Sequence, residues 1–166
     1  LYGQADLVDA LRQWLLPQPA RSPRFLHAMA EQALSCEPAL GWFRNLSYSG
    51  GHLYPKTIDL KTRGTRSFVD AARIWALQHR VWATSTVERL RAVGPFKRQT
   101  TDTAASIDAF DFLQRLRIQR QLAGGTYEEI KRVNPPGLTR PQRMLLKESL
   151  KQAKLLQLRL AQEFVH

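Results

Sequence analysis

The chain has 166 residues and 43% of them are hydrophobic, which suits one domain with a sizeable core and excludes a disordered chain. Its 25 basic and 14 acidic residues give a net charge of +11, so we expect an anionic partner such as nucleotide phosphate, nucleic acid or an acidic protein surface. One cysteine excludes an internal disulfide and favours a reducing cytosol. No apolar run reaches membrane-span length, and the start of the sequence lacks a basic n-region, so we expect neither a membrane span nor a signal peptide. The sequence begins with Leu1 rather than methionine, so we expect an excised piece of a longer protein.

The first segments are predicted to be helical. Apolar residues recur at helical spacing over residues 4–16, and Pro17 and Pro19 are expected to end that helix. Pro23 occupies the position of a first helical residue behind Ser22, so a second helix is predicted to begin there.

The middle of the chain contains the longest loop. A short apolar turn is predicted at 38–43, and residues 44–56 are expected to form a loop with a Gly-Gly pair at its apex. A minor extended element is predicted near 54–61. A helix should follow from about residue 65 to residue 79.

Helix signals in the second half are clearer. A capping box at 85–88 opens a helix that should end at Gly94. Asp102 or Thr103 can cap a long helix that runs to Gly124.

The last helix should begin at a second capping box, at 139–142, and run almost to the C-terminus. Its apolar seam is Leu146, Leu150, Ala153, Leu156, Leu160 and Phe164. This spacing is typical of a helical bundle. The sequence therefore predicts an all-α, mostly antiparallel bundle. One domain should span 1–166, with N-terminal helices in 1–43 and the bundle in 57–166, because neither half alone offers a complete core.

Six charges interrupt the apolar segment 57–77. Besides Arg63, they are Asp59, Lys61, Arg66, Asp70 and Arg73. The last three fall on one stripe of a helix. One interpretation is an internal salt bridge, Asp70 with Arg66 or Arg73, that pins one helix to the next. The other is a polar pocket in which the arginines hold an anionic ligand.

The long helix carries a similar stripe of Gln114, Arg117 and Gln121. Glutamines that flank an arginine can read a base edge or a phosphate, or they can form a satisfied buried network or a wet groove. The final helix has a basic stripe. It consists of Arg140, Arg143, Lys147, Lys151 and Lys154. That stripe is either a solvated face or a border of a substrate cleft.

The sequence shows no free-standing active site. It has no Gly-rich phosphate loop, no nucleophile elbow and no Cys/His cluster, and its acidic pairs are expected to lie on the surface. We therefore predict no catalytic residues and no metal ligands in this chain.

Four segments carry a family resemblance: IDLKTRGTRSFVDAARIWAL, TSTVERLRAV, AFDFLQRLRIQRQ and LTRPQRMLLKESLKQAKLLQ. They resemble the C-terminal putative nucleotidyltransferase substrate-binding domain of bacterial proteins in which CBS or cyclic-nucleotide-binding-like modules precede a domain related to the protein-PII uridylyltransferase. The first sixteen residues also resemble the end of the preceding catalytic region, with its Tyr-Gly helix start. The segment GGTYEEIKRVNPPG departs from the family pattern, and His79-Arg80 replaces a glycine-containing turn.

The resemblance implies a non-catalytic, cleft-closing, substrate-binding domain of a cytoplasmic nucleotidyltransferase. The parent protein would be the enzyme, and Mg²⁺ and a nucleoside triphosphate would be held mainly by its upstream catalytic domain, with no cofactor in this fragment. The expected partners are that upstream domain and a nucleotide or acidic acceptor substrate, without a membrane.

The resemblance and the charged stripes together give a set of expected substrate-binding residues. They are Asp59, Lys61, Asp70, Arg73, Arg89, Arg117, Gln121 and Lys147. The two aspartates are expected to orient arginines, while Lys61 and Arg73 should point toward the cleft. Two alternatives stay open: a nucleic-acid-binding helical module, and a regulatory protein-interaction domain without its own ligand.

Overall fold

A computed structural model describes residues 5–41, 45–97 and 100–165 of the chain. The predicted Tyr-Gly helix start and part of the predicted turn at 38–43 lie outside these residues. The described chain is mostly helical with one two-stranded sheet, so the predicted all-α bundle with a minor extended element is confirmed. None of the described helices combines the length and the apolar character that a membrane span requires.

The α-helices of the described chain have these bounds: α1 Ala5–Leu15, α2 Pro17–Ala20, α3 Pro23–Leu34, α4 Arg66–Gln78, α5 Thr86–Val93, α6 Thr100–Leu122, α7 Tyr127–Ile130 and α8 Arg140–Phe164.

The N-terminal prolines start helices rather than only ending one. Helix α1 ends at Leu15, so the prediction that Pro17 and Pro19 end this helix is confirmed. Pro17 is then the first residue of α2, where its missing N–H is not needed. Pro23 begins α3 as predicted, although the side chain of Ser22 makes no capping hydrogen bond.

The predicted extended element pairs with a distant segment. Strand β1 (Ile58–Asp59) lies antiparallel to β2 (Arg132–Val133), with Ile58 opposite Val133 and Asp59 opposite Arg132. The sequence did not predict β2, because two residues are too few to show the alternation of a strand. A π-helical turn over Lys61–Thr65 then leads directly into α4.

The predicted capping box of α8 is confirmed, whereas that of α5 forms only one of its two hydrogen bonds. The Ser85 hydroxyl accepts from the Glu88 N–H, and Thr139 and Gln142 form both hydrogen bonds of a capping box. Helix α6 begins at Thr100 rather than after a cap at residue 102 or 103. An acidic residue is also favoured inside the first turn of a helix, so its presence alone does not fix the start.

The core follows the predicted seam of α8. Leu146, Leu150 and Leu160 are fully buried in one cluster that also contains Phe68 of α4 and Leu113 of α6. Truncation of such a buried leucine to alanine costs about 2–5 kcal/mol, so this seam contributes a large share of the stability of the bundle.

Helix α1 is the exception to this packing. Its apolar residues are largely in solvent, with Leu7 at 65%, Leu11 at 61% and Trp14 at 63% exposure. Their helical spacing therefore forms an apolar face that the rest of the described chain does not cover.

Candidate functional site

Asp59 is buried beneath the strand pair and organises the turn that leads to α4. Its Oδ1 accepts from the Thr62 N–H at 2.9 Å and its Oδ2 accepts from the Thr62 hydroxyl at 3.2 Å. The same Oδ2 lies 3.7 Å from Lys131 Nζ. The expectation that Asp59 orients an arginine is therefore wrong: its charged neighbour is a lysine brought in beside β2, which the local sequence did not reveal.

Lys131 links this carboxylate to α7. Its Nζ also contacts Glu128 at 2.6 Å, and this hydrogen bond raises the pKa of Lys131 and lowers the pKa of Glu128. Lys61 donates to the Tyr127 hydroxyl at 3.1 Å beside the same network. Asp59 and Lys61 thus connect β1 to β2 and α7. Both β2 and α7 lie in the segment that departs from the family pattern.

Asp70 is held between two arginines of its own helix. Its carboxylate lies 3.2 Å from Arg66 Nε and 3.9 Å from Arg73 Nη1. Both ion pairs lie within α4, so the interpretation that Asp70 pins one helix to the next is wrong, although the pairing with arginine is confirmed. The side chain of Arg73 is about half exposed.

Arg73, Arg89 and Arg12 converge on one cavity, and we call these three residues the arginine cluster. The cavity has a volume of about 160 Å³ and lies between α1, α4 and α5. The rest of its lining is mostly apolar and consists of Leu15, Leu16, Ala76, Leu77, Val81, Trp82, Ala83 and Thr84.

The arginine cluster concentrates positive charge in a partly buried place. Burial first, and then the positive charges of Arg73 and Arg12, lower the pKa of the Arg89 guanidinium below its ordinary value. Arg89 Nε donates to the Ala83 carbonyl at 2.9 Å, which fixes the plane of the guanidinium. The guanidinium of Arg12 lies over the Trp82 ring, 5.7 Å from its centroid. In the described residues, the ion pair from Asp70 to Arg73 is the one carboxylate contact to the cluster.

A second cavity adjoins the arginine cluster through Arg73. It has a volume of about 330 Å³, lies between α3 and α4, and is lined by Phe25, Met29 and Ile74 together with Arg66 and Asp70. This volume is at the lower end of the range for small-molecule sites, about 300–1,000 Å³.

The remaining expected site residues lie elsewhere. Arg117 donates to Gln114 Oε1 at 2.7 Å and to the Thr65 hydroxyl at 3.3 Å. These contacts favour the interpretation of that stripe as a satisfied hydrogen-bond network. Gln121 is exposed in the last turn of α6, and Lys147 is half buried on α8. None of these three lines the cavity of the arginine cluster.

The basic stripe of α8 is partly neutralised. Lys151 pairs with Glu148, and Lys154 lies 3.8 Å from Glu37. Arg143 donates to the backbone carbonyls of residues 136 and 138. These contacts favour the interpretation of Lys151 and Lys154 as a solvated face.

Arg12 is the residue of the arginine cluster that sequence reasoning missed. It lies on α1, whose apolar pattern predicts a helix but gives no sign of which later segment its arginine will meet. Within the described residues, no group of three or more His, Cys, Asp or Glu side chains is placed to hold a metal ion.

Three guanidinium groups around one cavity suit recognition of an anion. A family model described as the putative nucleotidyltransferase substrate binding domain matches residues 23–164. The chain belongs to this family. Arg73 and Arg89 of this nucleotidyltransferase substrate-binding domain lie within the matched region, whereas Arg12 lies outside it. Searches of curated proteins and of solved structures each return no match.

Proposed function

We propose that this chain is the non-catalytic, cleft-closing C-terminal domain of a cytoplasmic nucleotidyltransferase, and that it binds the anionic part of the substrate at the arginine cluster. The observation that carries this proposal is the convergence of Arg73 and Arg89, two residues of the family segments, on one cavity. Guanidinium groups are the preferred protein partners of phosphate because their paired N–H groups match its oxygens.

The two cavities beside Arg73 fit the two parts of a nucleotide. The smaller one, at the arginine cluster, suits a phosphate group, and the larger one, with Phe25 and Met29, suits an apolar or planar body. An acidic acceptor substrate would use the same arginines. Asp70 would position Arg73 through its ion pair, and would act on the substrate only through that arginine.

The other expected residues take supporting roles in this proposal. Asp59 and Lys61 hold the turn before α4, and Arg117 braces the same turn through Thr65. Lys147 and Gln121 lie away from the cluster cavity and would border the cleft that forms with the catalytic domain.

The exposed face of α1 is the surface that we assign to the upstream catalytic domain. Leu7, Leu11 and Trp14 are each more than half exposed there, and an uncovered row of large apolar residues marks a contact surface. The catalytic metal site and most contacts to Mg²⁺ and the nucleoside triphosphate would belong to that upstream domain.

A nucleic-acid-binding module is the second candidate, and the net charge of +11 favours it. In that case the five basic residues of α8 should contribute similarly to duplex binding. Each loss should then lower the slope of log affinity against log salt by about one unit. The ion pairs of Lys151 and Lys154 argue against such an even contribution.

Two assays test the proposal. The pure chain, incubated with labelled ATP or UTP, Mg²⁺ and candidate acceptors, should transfer no label. In the parent protein, Arg73→Gln should raise the KM for the nucleotide or the acceptor at least several-fold. Metal-dependent transfer by the chain alone, or an unchanged KM for both substrates, would contradict the proposal.

A further inference from the structure

We infer that Arg12, Arg73 and Arg89 form a phosphate site that α1 closes, so that a bound phosphoryl group docks α1 onto α4 and α5. This inference rests on the function proposed above and extends it by adding a residue, a ligand class and a conformational consequence.

The first step is the geometry of the donors. The arginine cluster draws on three separate elements: α1 supplies Arg12, α4 supplies Arg73 and α5 supplies Arg89. Arg89 Nε is occupied by the Ala83 carbonyl, and within the described chain no other hydrogen bond to Arg89 is seen. Its two terminal nitrogens therefore remain for a ligand in the cavity.

The second step is the size of the site. A cavity of about 160 Å³ is well below the volume of a site for a whole small molecule, which starts at about 300 Å³. It has room for a single phosphoryl group or the end of a polyphosphate, whose oxygens would face the three guanidinium groups because the rest of the lining is mostly apolar. An apolar ligand would not compensate the charge of the three arginines, whereas a phosphate would.

The third step is the loose attachment of α1. Of residues 6–15, only Arg12 is partly buried, and it reaches the bundle through Trp82. Arg12 and Leu15 are the residues of α1 that line the cluster cavity, and Arg12 places a third positive charge beside two others. This repulsion opposes docking of α1 until an anion compensates it.

The consequence is a thermodynamic coupling between phosphate and the position of α1. If phosphate binds more tightly when α1 is docked, then docking is favoured by the same factor when phosphate is bound, typically about 5- to 150-fold. Helix α1 also carries the exposed apolar face that we assign to the upstream catalytic domain. The site would therefore couple substrate binding to the position of that domain. Arg12 lies outside the matched family region, so this closure goes beyond what the family match covers.

Hydrogen exchange of α1 tests the inference directly. The chain is labelled with and without inorganic pyrophosphate, and with and without ATP, at constant ionic strength. We expect amide exchange in residues 6–15 to slow at least about threefold with either ligand. Protection by ATP alone would also support the inference and identify a phosphoryl group attached to a nucleoside as the ligand.

The variants separate the site from general electrostatics. Arg12→Gln and Arg89→Gln should abolish the response of α1, while Arg91→Gln, which removes an exposed charge from the same helix α5, should leave it intact. Exchange in α4 reports whether each variant is folded. No protection by either ligand, or equal protection in Arg89→Gln, would overturn the inference. ATP binding that depends on Arg73 without any response of α1 would overturn it while leaving the proposed function in place.

Discussion

Asp59 offers a sharp test of how the turn before α4 is held. Asp59→Ala removes the carboxylate that accepts from the Thr62 N–H at 2.9 Å and from the Thr62 hydroxyl at 3.2 Å. A hydrogen bond to a charged acceptor contributes about 1.5–3 kcal/mol, and the hydroxyl can turn to another partner. We therefore expect Asp59→Ala to lower the free energy of unfolding by about 2 kcal/mol.

Asp59→Asn separates the acceptor from the charge. The amide oxygen keeps the contact to the Thr62 N–H, so we expect a loss below about 1 kcal/mol. For a chain of this length each kcal/mol shifts Tm by about 2–4 °C, so Asp59→Ala should melt about 4–8 °C lower and Asp59→Asn only a few degrees lower. Asp108→Ala, at an exposed acidic position of α6, is the matched control and should change Tm little.

Thermal melting followed by far-UV circular dichroism measures these differences, with urea unfolding as a second measure of stability. An Asp59→Ala variant that melts within 1 °C of the parent chain would refute the role of this carboxylate. Equal losses in Asp59→Ala and Asp59→Asn would show that the charge opposite Lys131, rather than the acceptor of the Thr62 N–H, stabilises the turn.

Three further predictions concern charged groups of the site and its surroundings. Arg73→Ala should change Tm little, because Arg73 is about half exposed and 3.9 Å from Asp70, but it should weaken ATP binding about tenfold in a direct titration. Glu128→Gln should lower Tm at pH 7, and this difference should shrink as pH falls below the ordinary glutamate pKa of 4.5, because Lys131 lowers the folded pKa of Glu128; a difference that stays constant down to pH 3 would contradict it. Lys147→Ala should weaken nucleotide or acceptor binding in the parent protein, whereas Lys151→Ala should not, and equal effects on duplex binding with none on nucleotide would favour the nucleic-acid candidate.

Local patterns were sufficient to predict the parts of the fold that depend on neighbouring residues. The Thr139–Gln142 capping box and the seam from Leu146 to Leu160 follow from spacing within one helix, and both are confirmed. The pairing of Asp70 with arginine followed in the same way, because residues three and four apart lie on one helix face.

Contacts between distant segments could not be predicted this way. The strand partner of Ile58 is Val133, which lies in a short segment without a periodic pattern. The meeting of Arg12 with Arg89 depends on how α1 returns to the α4–α5 connection, and nothing near Arg12 in sequence specifies that. A cluster assembled from three elements has no signature within any one of them.

Direct titration of ATP into the chain by calorimetry, comparing the parent chain with Arg89→Gln and Arg91→Gln, is the measurement that tests the phosphate site most directly. Arg89 lines the cluster cavity, whereas Arg91 is exposed on the same helix, so both substitutions change the net charge equally. We predict that Arg89→Gln weakens binding at least about tenfold, the loss of one charge-assisted contact, and that Arg91→Gln changes it less than about twofold. Equal affinities for the two variants would contradict the assignment of the arginine cluster as the substrate site.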